Sequence, residues 1–197
     1  SQLVVTFERA FNYLLIISIP IAVGVIFIAE EIVSVFKPEY MAAVVPLKLI
    51  MLALPFLFLN YPVGALLNAC DRQKTNTRNM GIVLVTSIAL NLYLIPQYNI
   101  YGAAMTVVVT NALLFSLNFV TVPDIIKYNQ KKLMLMALKV SISAALMAIF
   151  VNYSKEHINI FLVVPIAAII YFAGIFLTGG ISREDIKSII KSISDVE

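Results

Sequence analysis

Four ionisable side chains interrupt otherwise apolar stretches of this sequence. Glu30 and Glu31 lie late in the first stretch, Lys48 lies early in the second, and Lys139 lies early in the fifth. A charge within a bilayer is costly, so such residues are functional candidates by default, with snorkelling to the headgroups as the alternative. Lys48 has a proline on either side that could open its helix into a cavity. An ammonium group facing such a cavity would suit an anionic substrate.

Asparagines form the second group of polar residues inside the apolar stretches. An amide in lipid is unfavourable unless it is hydrogen-bonded, so each should face protein or water. Two roles stay open for them, interhelical packing and the lining of a substrate cavity. The five asparagines are Asn60, Asn68, Asn91, Asn111 and Asn118. The candidates for a substrate cavity are Lys48, Asn60, Asn91 and Asn111.

Signatures of catalysis and of metal binding are missing from the sequence. Cys70 is the single cysteine and His157 the single histidine, so neither a disulfide, a Cys/His metal cluster nor a Cys-His dyad can form within the chain. The sequence contains no nucleophile elbow, no phosphate-binding glycine loop and no acidic pair with metal-ligand spacing. Basic residues form no patch interleaved with aromatic residues, which argues against nucleic acid. We therefore expect neither enzyme activity nor a cofactor or metal ion.

The composition places these residues in a membrane. Of the 197 residues, 61% are hydrophobic and 13% are charged, and the mean hydropathy is +0.95. Soluble domains are about 45–50% apolar and about a quarter charged. A water-soluble fold could not cover so much apolar surface with so few charges, so the solvent is lipid.

Six apolar segments are long enough to cross a bilayer as helices. They predict an all-α polytopic membrane protein with spans at about 12–36, 43–69, 80–96, 101–122, 133–151 and 158–178, followed by an amphipathic, cytoplasmic helix within 179–197. The second span holds prolines that predict a bend or local unwinding, with Pro55 and Pro62 as hinge candidates. Pro96 is predicted to end the third helix, and Gly102 to let the fourth pack closely against a neighbour.

The charges of the loops give an independent test of the six-span topology. One side of the membrane would carry ten basic residues: Arg9, Arg72, Lys74, Arg78, Lys127, Lys131, Lys132, Arg183, Lys187 and Lys191. The other side would carry only Lys37 and Lys155. This asymmetry predicts that both ends of the chain are cytoplasmic.

Three motifs in order resemble a known family. They are SIPIAVGVIFIAEEIVSVFKPEYMAA, ALLNACDRQKTNTR and NLYLIPQYNIYGAA. Their order and spacing are similar to those of the C-terminal part of the polysaccharide and oligosaccharide flippases, within the multidrug/oligosaccharidyl-lipid/polysaccharide exporter superfamily. The matching positions are Pro20 to Gly24, Glu30 or Glu31, Tyr40, Ala42 or Ala43, Leu67, Ala69, Arg72, Lys74, Asn91, Leu94 to Pro96, Ile100 and Gly102 to Ala104. The chain departs from the pattern at Lys37-Pro38, where the family has a loop glycine.

The resemblance implies an inner- or plasma-membrane protein of about twelve to fourteen helices in two pseudo-symmetric bundles. Such proteins move lipid-linked sugars across the bilayer by alternating access. We therefore expect this chain to supply the last six helices of a longer protein whose N-terminal helical bundle is missing here. Two alternatives stay open, a multidrug-type exporter of the same superfamily and a non-transporting scaffold in the synthesis of cell-envelope polysaccharide.

Overall fold

The computed structural model describes residues 2–36, 38–155, 157 and 159–180. Its helices are α1 (Gln2–Phe27), α2 (Ala29–Ser34), α3 (Val44–Ala69), α4 (Gln73–Tyr98), α5 (Ile100–Phe119), α6 (Gln130–Ser154) and α7 (Ile160–Leu177). Two short 3-10 segments, Pro38–Ala43 and Val122–Asp124, precede α3 and follow α5. These described residues contain no strand.

Six of the helical segments are long and apolar enough to cross a membrane. The structure thus confirms an all-α, polytopic membrane protein, and each predicted span corresponds to one long helix. We call the end of the bundle that holds the start of α1 and the turns after α3 and α5 the basic end, and the other the opposite end. The predicted amphipathic tail lies outside the described residues, apart from Gly179 and Gly180.

The helix of the first span ends at Phe27, earlier than the predicted end at residue 36. A turn at Ile28, with φ −110° and ψ 15°, separates α1 from α2, so 29–34 are not part of the same straight helix. The break lets Ala29 and Val33 pack against Val44 in a small apolar cluster. It also places two glutamates in the first turn of α2, where the helix dipole favours negative charge.

The third helix does not end at Pro96, and that prediction was wrong. Helix α4 begins at Gln73 and continues through Pro96 to Tyr98. A proline so close to the C-terminus removes a single hydrogen bond from the last turns, which the helix tolerates. The chain reverses instead at Asn99, whose φ of 50° is a conformation that asparagine adopts more readily than most residues.

Gly102 lies where the first turn of α5 crosses the last turns of α4. A Cβ atom built there would lie 2.5 Å from the carbonyl carbon of Leu94 and 3.0 Å from the amide nitrogen of Ile95. Backbone atoms cannot move aside as a flexible side chain can. The predicted close packing is therefore confirmed, and the neighbour is the preceding helix.

The long helices pack in the order α4, α5, α3, α1, α6, α7. Helices α1 and α3 lie in the middle of this row, and the main apolar core joins them to α6 and α7. Rings on α1, on α5 and in the loop before α6 pack together at the basic end, with centroids 5.8–6.3 Å apart between Phe11 and Phe119, Phe11 and Phe115, and Phe7 and Tyr128. This contact holds the start of α6 beside the start of α1.

Helix α4 lies at the edge of the row and turns most of its surface outward. Asn79 is its one buried residue. Leu92, Val85 and Tyr93 are exposed by 74%, 68% and 64%. Apolar side chains on the outside suit a helix that meets lipid or another helical bundle rather than water.

Candidate functional site

Asn60 and Asn111 lie side by side between α3 and α5. The Asn60 Nδ2 donates to the backbone oxygen of Asn111 at 3.3 Å, and the Asn111 Nδ2 donates to the oxygen of Val107 at 2.9 Å. The Asn60 Oδ1 atom is buried and has no hydrogen-bond partner among the described residues. The two predicted cavity residues therefore meet, and one of them retains an acceptor that could receive a ligand donor.

Lys48 lies near the start of α3 and is paired with Glu30 of α2. Its Nζ lies 2.8 Å from the Glu30 Oε1. The hydrogen bond and charge of Lys48 hold the pKa of the Glu30 carboxyl below its ordinary value. The Lys48 side chain is 35% exposed, so it is accessible to a ligand. An anionic ligand would have to compete with a carboxylate for it.

Asn91 does not join the other cavity candidates. Its Nδ2 donates to the Ser87 Oγ of the same helix at 3.5 Å. Lys48 is likewise distant, because its separation of twelve positions from Asn60 on α3 corresponds to about 18 Å along a helix. The structure thus brings together Asn60 and Asn111 and leaves the other two candidates apart.

The two hinge candidates lie inside an uninterrupted helix. Helix α3 runs over Val44–Ala69 through both Pro55 and Pro62. Local unwinding of this span is therefore not observed. A hinge that acts during a conformational change stays a prediction.

The other asparagines predicted within the spans bond across helices. Asn76 of α4 donates to the Asn68 Oδ1 of α3 at 3.2 Å, and Asn118 of α5 donates to the Asn76 Oδ1 at 3.0 Å. Asn79 of α4 donates in turn to the Asn118 Oδ1 at 2.9 Å. These four amides join three helices near the basic end, so the packing role is confirmed for Asn68 and Asn118.

A second ion pair ties the opposite end together. Lys155, just after α6, lies 3.3 Å from the Glu31 Oε1 and donates to the backbone oxygen of Phe27 at 3.3 Å. The two glutamates that the sequence marks as a pair thus bind different lysines, since Glu30 binds Lys48. Each of these two ion pairs connects α2, directly after the break, to another helix or its end.

Sequence reasoning missed a polar cluster at the basic end. Glu8 of α1 is buried, and its carboxylate accepts from the backbone N–H of Asn129 at 3.0 Å and from the Lys132 Nζ at 3.2 Å. Lys139 donates to the Gly179 oxygen beyond α7 at 3.1 Å, which fits the snorkelling alternative. Glu8 precedes the predicted start of the first span, so it was not considered. The signal was the spacing of Glu8 and Asn12, one helical turn apart on α1.

No group of three or more potential metal ligands from His, Cys, Asp and Glu occurs within the part of the chain that the structure describes. The polar groups of the described bundle can bind through hydrogen bonds and charge. They offer no assembled nucleophile and base.

Comparisons with known proteins agree with the fold. No protein-family model matches the chain. The membrane protein MJ1068 of Methanocaldococcus jannaschii is 27% identical to it over 193 residues, which cover 94% of this chain and 38% of that protein. The structure of the lipid II flippase MurJ in an inward closed conformation matches with a TM-score of 0.74 and 18% identity, and covers 87% of this chain and 38% of that one.

These findings define a polytopic membrane protein with a flippase-type fold. The chain spans about two fifths of the length of each of these two proteins. At 18% identity the likeness to the flippase concerns the fold, and the more specific resemblance to polysaccharide flippases stays a prediction.

Proposed function

We propose that this chain is part of a flippase that moves a lipid-linked oligosaccharide or polysaccharide precursor across the cytoplasmic membrane by alternating access. The observation that carries the proposal is the fold, which the chain shares with a lipid II flippase over 87% of its residues. The substrate class comes from the family motifs in the sequence. Transport of this kind changes no covalent bond, so the protein acts as a carrier and not as an enzyme.

The polar groups between α3 and α5 suit a saccharide. Sugar hydroxyls are donors as well as acceptors, and the unpartnered Oδ1 of Asn60 needs a donor. Asn111 would line the path beside Asn60, and Asn91 of α4 would line it at another depth. Lys48 would meet the phosphate groups once they displace Glu30 from it.

The proposal includes an orientation and a partner. The basic end faces the cytoplasm, as the positive-inside rule requires of its excess of lysine and arginine. An N-terminal helical bundle of the same protein completes the cavity in the bilayer. Pro55 and Pro62 then allow α3 to bend as access alternates.

Reconstitution of the full-length protein tests this function. Vesicles carrying a fluorescent lipid-linked oligosaccharide are treated with a membrane-impermeant quencher, and the fraction that becomes accessible is followed over time. We expect the protein to accelerate transbilayer movement of this lipid. A rate equal to that of protein-free vesicles would contradict the proposal.

Two variants test the proposed path. Lys48→Ala and Asn60→Leu should each slow transport by about tenfold, since each removes a contact to a charged or buried polar group. Lys155→Ala is the matched control, because it breaks the other lysine–glutamate pair at the opposite end. Wild-type rates for Lys48→Ala and Asn60→Leu in folded protein would remove these residues from the path.

A further inference from the structure

A polar cavity opens at the basic end, on the side of the bundle away from α3 and α5. It has a volume of about 410 Å³ and lies between the start of α1, the start of α6 and the residues that follow α7. It is separate from the Asn60–Asn111 pair, so binding in it can be measured apart from the transport proposed above, although the proposed cargo is one of its two candidate lipids.

The cavity is lined by more positive than negative charge. Arg9, Lys132 and Lys139 lie on its walls together with one carboxylate, that of Glu8. Glu8 is engaged by Lys132, and Lys139 uses one of its three donors on the Gly179 oxygen. Arg9 is exposed and forms no ion pair with the described residues. The walls therefore carry a net charge of about +2, with a guanidinium fork available to an anion.

A buried amide oxygen on the cavity wall also lacks a partner within the described part of the chain. Asn12 is 8% exposed, and its Oδ1 atom receives no hydrogen bond from the described residues. A buried acceptor needs a hydrogen-bond donor, and since no described residue supplies one to the Asn12 Oδ1, a group that enters the cavity must do so. The cavity thus suits a ligand that places a negative group at the cavity mouth and a hydroxyl or amine deeper inside.

We propose that this cavity binds the phosphate of a lipid headgroup that also carries a hydroxyl group. Arg9 and Lys132 contact the phosphate oxygens, while the hydroxyl donates to Asn12. Basic pockets between membrane helices are suited to anionic headgroups, because the acyl chains stay in the bilayer while the phosphate meets the charges. Two lipids have this chemistry, a bilayer phosphatidylglycerol and a polyprenyl pyrophosphoryl sugar.

Binding to the full-length protein in neutral detergent micelles tests the assignment. The probe is fluorescent phosphatidylglycerol, with the polyprenyl pyrophosphoryl sugar in a parallel arm and water-soluble glycerol 3-phosphate as competitor. Arg9→Gln should weaken binding of the lipid by about tenfold, as expected for the loss of a charge-assisted contact. Lys127→Gln, which removes an exposed lysine at the same end outside the cavity, should change it by less than about twofold.

A second variant tests the hydroxyl contact. Asn12→Leu has a similar size and removes an amide whose oxygen bonds to no described residue. It should weaken binding of phosphatidylglycerol and leave that of phosphatidic acid, which lacks the headgroup hydroxyls, unchanged.

The pattern across the arms decides the outcome. Loss of phosphatidylglycerol binding in Arg9→Gln identifies a bilayer lipid, and the same loss confined to the polyprenyl lipid identifies the cargo. Equal effects of Arg9→Gln and Lys127→Gln would overturn the site. Displacement of the lipid by an equal concentration of glycerol 3-phosphate would overturn its assignment to a lipid.

Discussion

The hydroxyl of Tyr171 provides the sharpest test of how this bundle is held together. Pro20 in α1 has no amide hydrogen, so the carbonyl of Ile16, four residues earlier, has no donor within its own helix. Tyr171 of α7 is fully buried and donates to this carbonyl at 2.7 Å. Tyr171→Phe keeps the ring and removes only the donor. The Ile16 carbonyl is then left without a partner.

The expected loss in the free energy of unfolding can be bracketed. A buried acceptor left unsatisfied costs about 1–3 kcal/mol in proteins generally. Hydrogen bonds between membrane helices average about 0.6 kcal/mol and reach about 1.7 kcal/mol. The bond of Tyr171 is short and fully buried, and it replaces a missing backbone bond, so we expect a value of about 1–1.5 kcal/mol near the upper end of the membrane range.

Denaturant titration in mixed micelles measures this loss, and a second substitution isolates its cause. Pro20→Ala restores the amide that bonds the Ile16 carbonyl, so Tyr171→Phe should cost less in that background, with a coupling energy of about 1 kcal/mol. Tyr93→Phe, at a side chain that is 64% exposed, is the control for loss of a hydroxyl. Equal losses with and without Pro20 would refute the explanation, as would a loss no larger than that of Tyr93→Phe.

Three further predictions concern other contacts of the bundle, each checked by the free energy of unfolding. Gly102→Ala should destabilise by about 1–3 kcal/mol, because its Cβ would overlap the backbone of α4, whereas Gly81→Ala, with open space around it, should be neutral or slightly stabilising. Asn118→Leu should destabilise by about 1–3 kcal/mol through the loss of two interhelical bonds, and an unchanged value would remove the amide chain as a support. Glu30→Gln should lower stability at neutral pH, because it removes the ion pair with the lysine partner on α3. That lysine lowers the Glu30 pKa, so the greater stability of the wild type should be lost as the pH falls through the lowered pKa. A stability difference independent of pH would contradict this explanation.

The number of helices could be predicted from the sequence because length and hydropathy report directly on the bilayer. The close approach at Gly102 could also be predicted, since a glycine followed by two alanines at a helix start permits it. The positions of the helix ends were predicted less accurately. Hydropathy marks the part in hydrocarbon, whereas α4 continues into polar residues at 73–79.

The partners of the polar residues could not be predicted. Apolar side chains surround most of these helices, so no stripe indicates which face of a helix meets which neighbour. Asn60 and Asn91 therefore looked alike, although one bonds across to α5 and the other only within α4. The pairing of Glu8 with Lys132 joins residues 124 positions apart and follows from the contact of α1 with α6. Only the packed structure contains that information.

Buried oxygens that lack a hydrogen-bond partner distinguish residues that could bind a ligand from residues that serve packing alone. Within the described residues they are Asn12 Oδ1, Glu31 Oε2, Asn60 Oδ1 and Ser143 Oγ. Ser143 has no room for a ligand, since a Cβ on the facing Gly174 would already lie 3.0 Å from its Oγ. Glu31 lies at the opposite end, where water can reach the headgroup region. The Oδ1 atom of Asn12 lies on the wall of the polar cavity and that of Asn60 lies between α3 and α5, so a ligand could supply the missing donor at either place. A lipid headgroup at Asn12 and a saccharide hydroxyl at Asn60 would each supply the hydrogen-bond donor that the described residues do not provide.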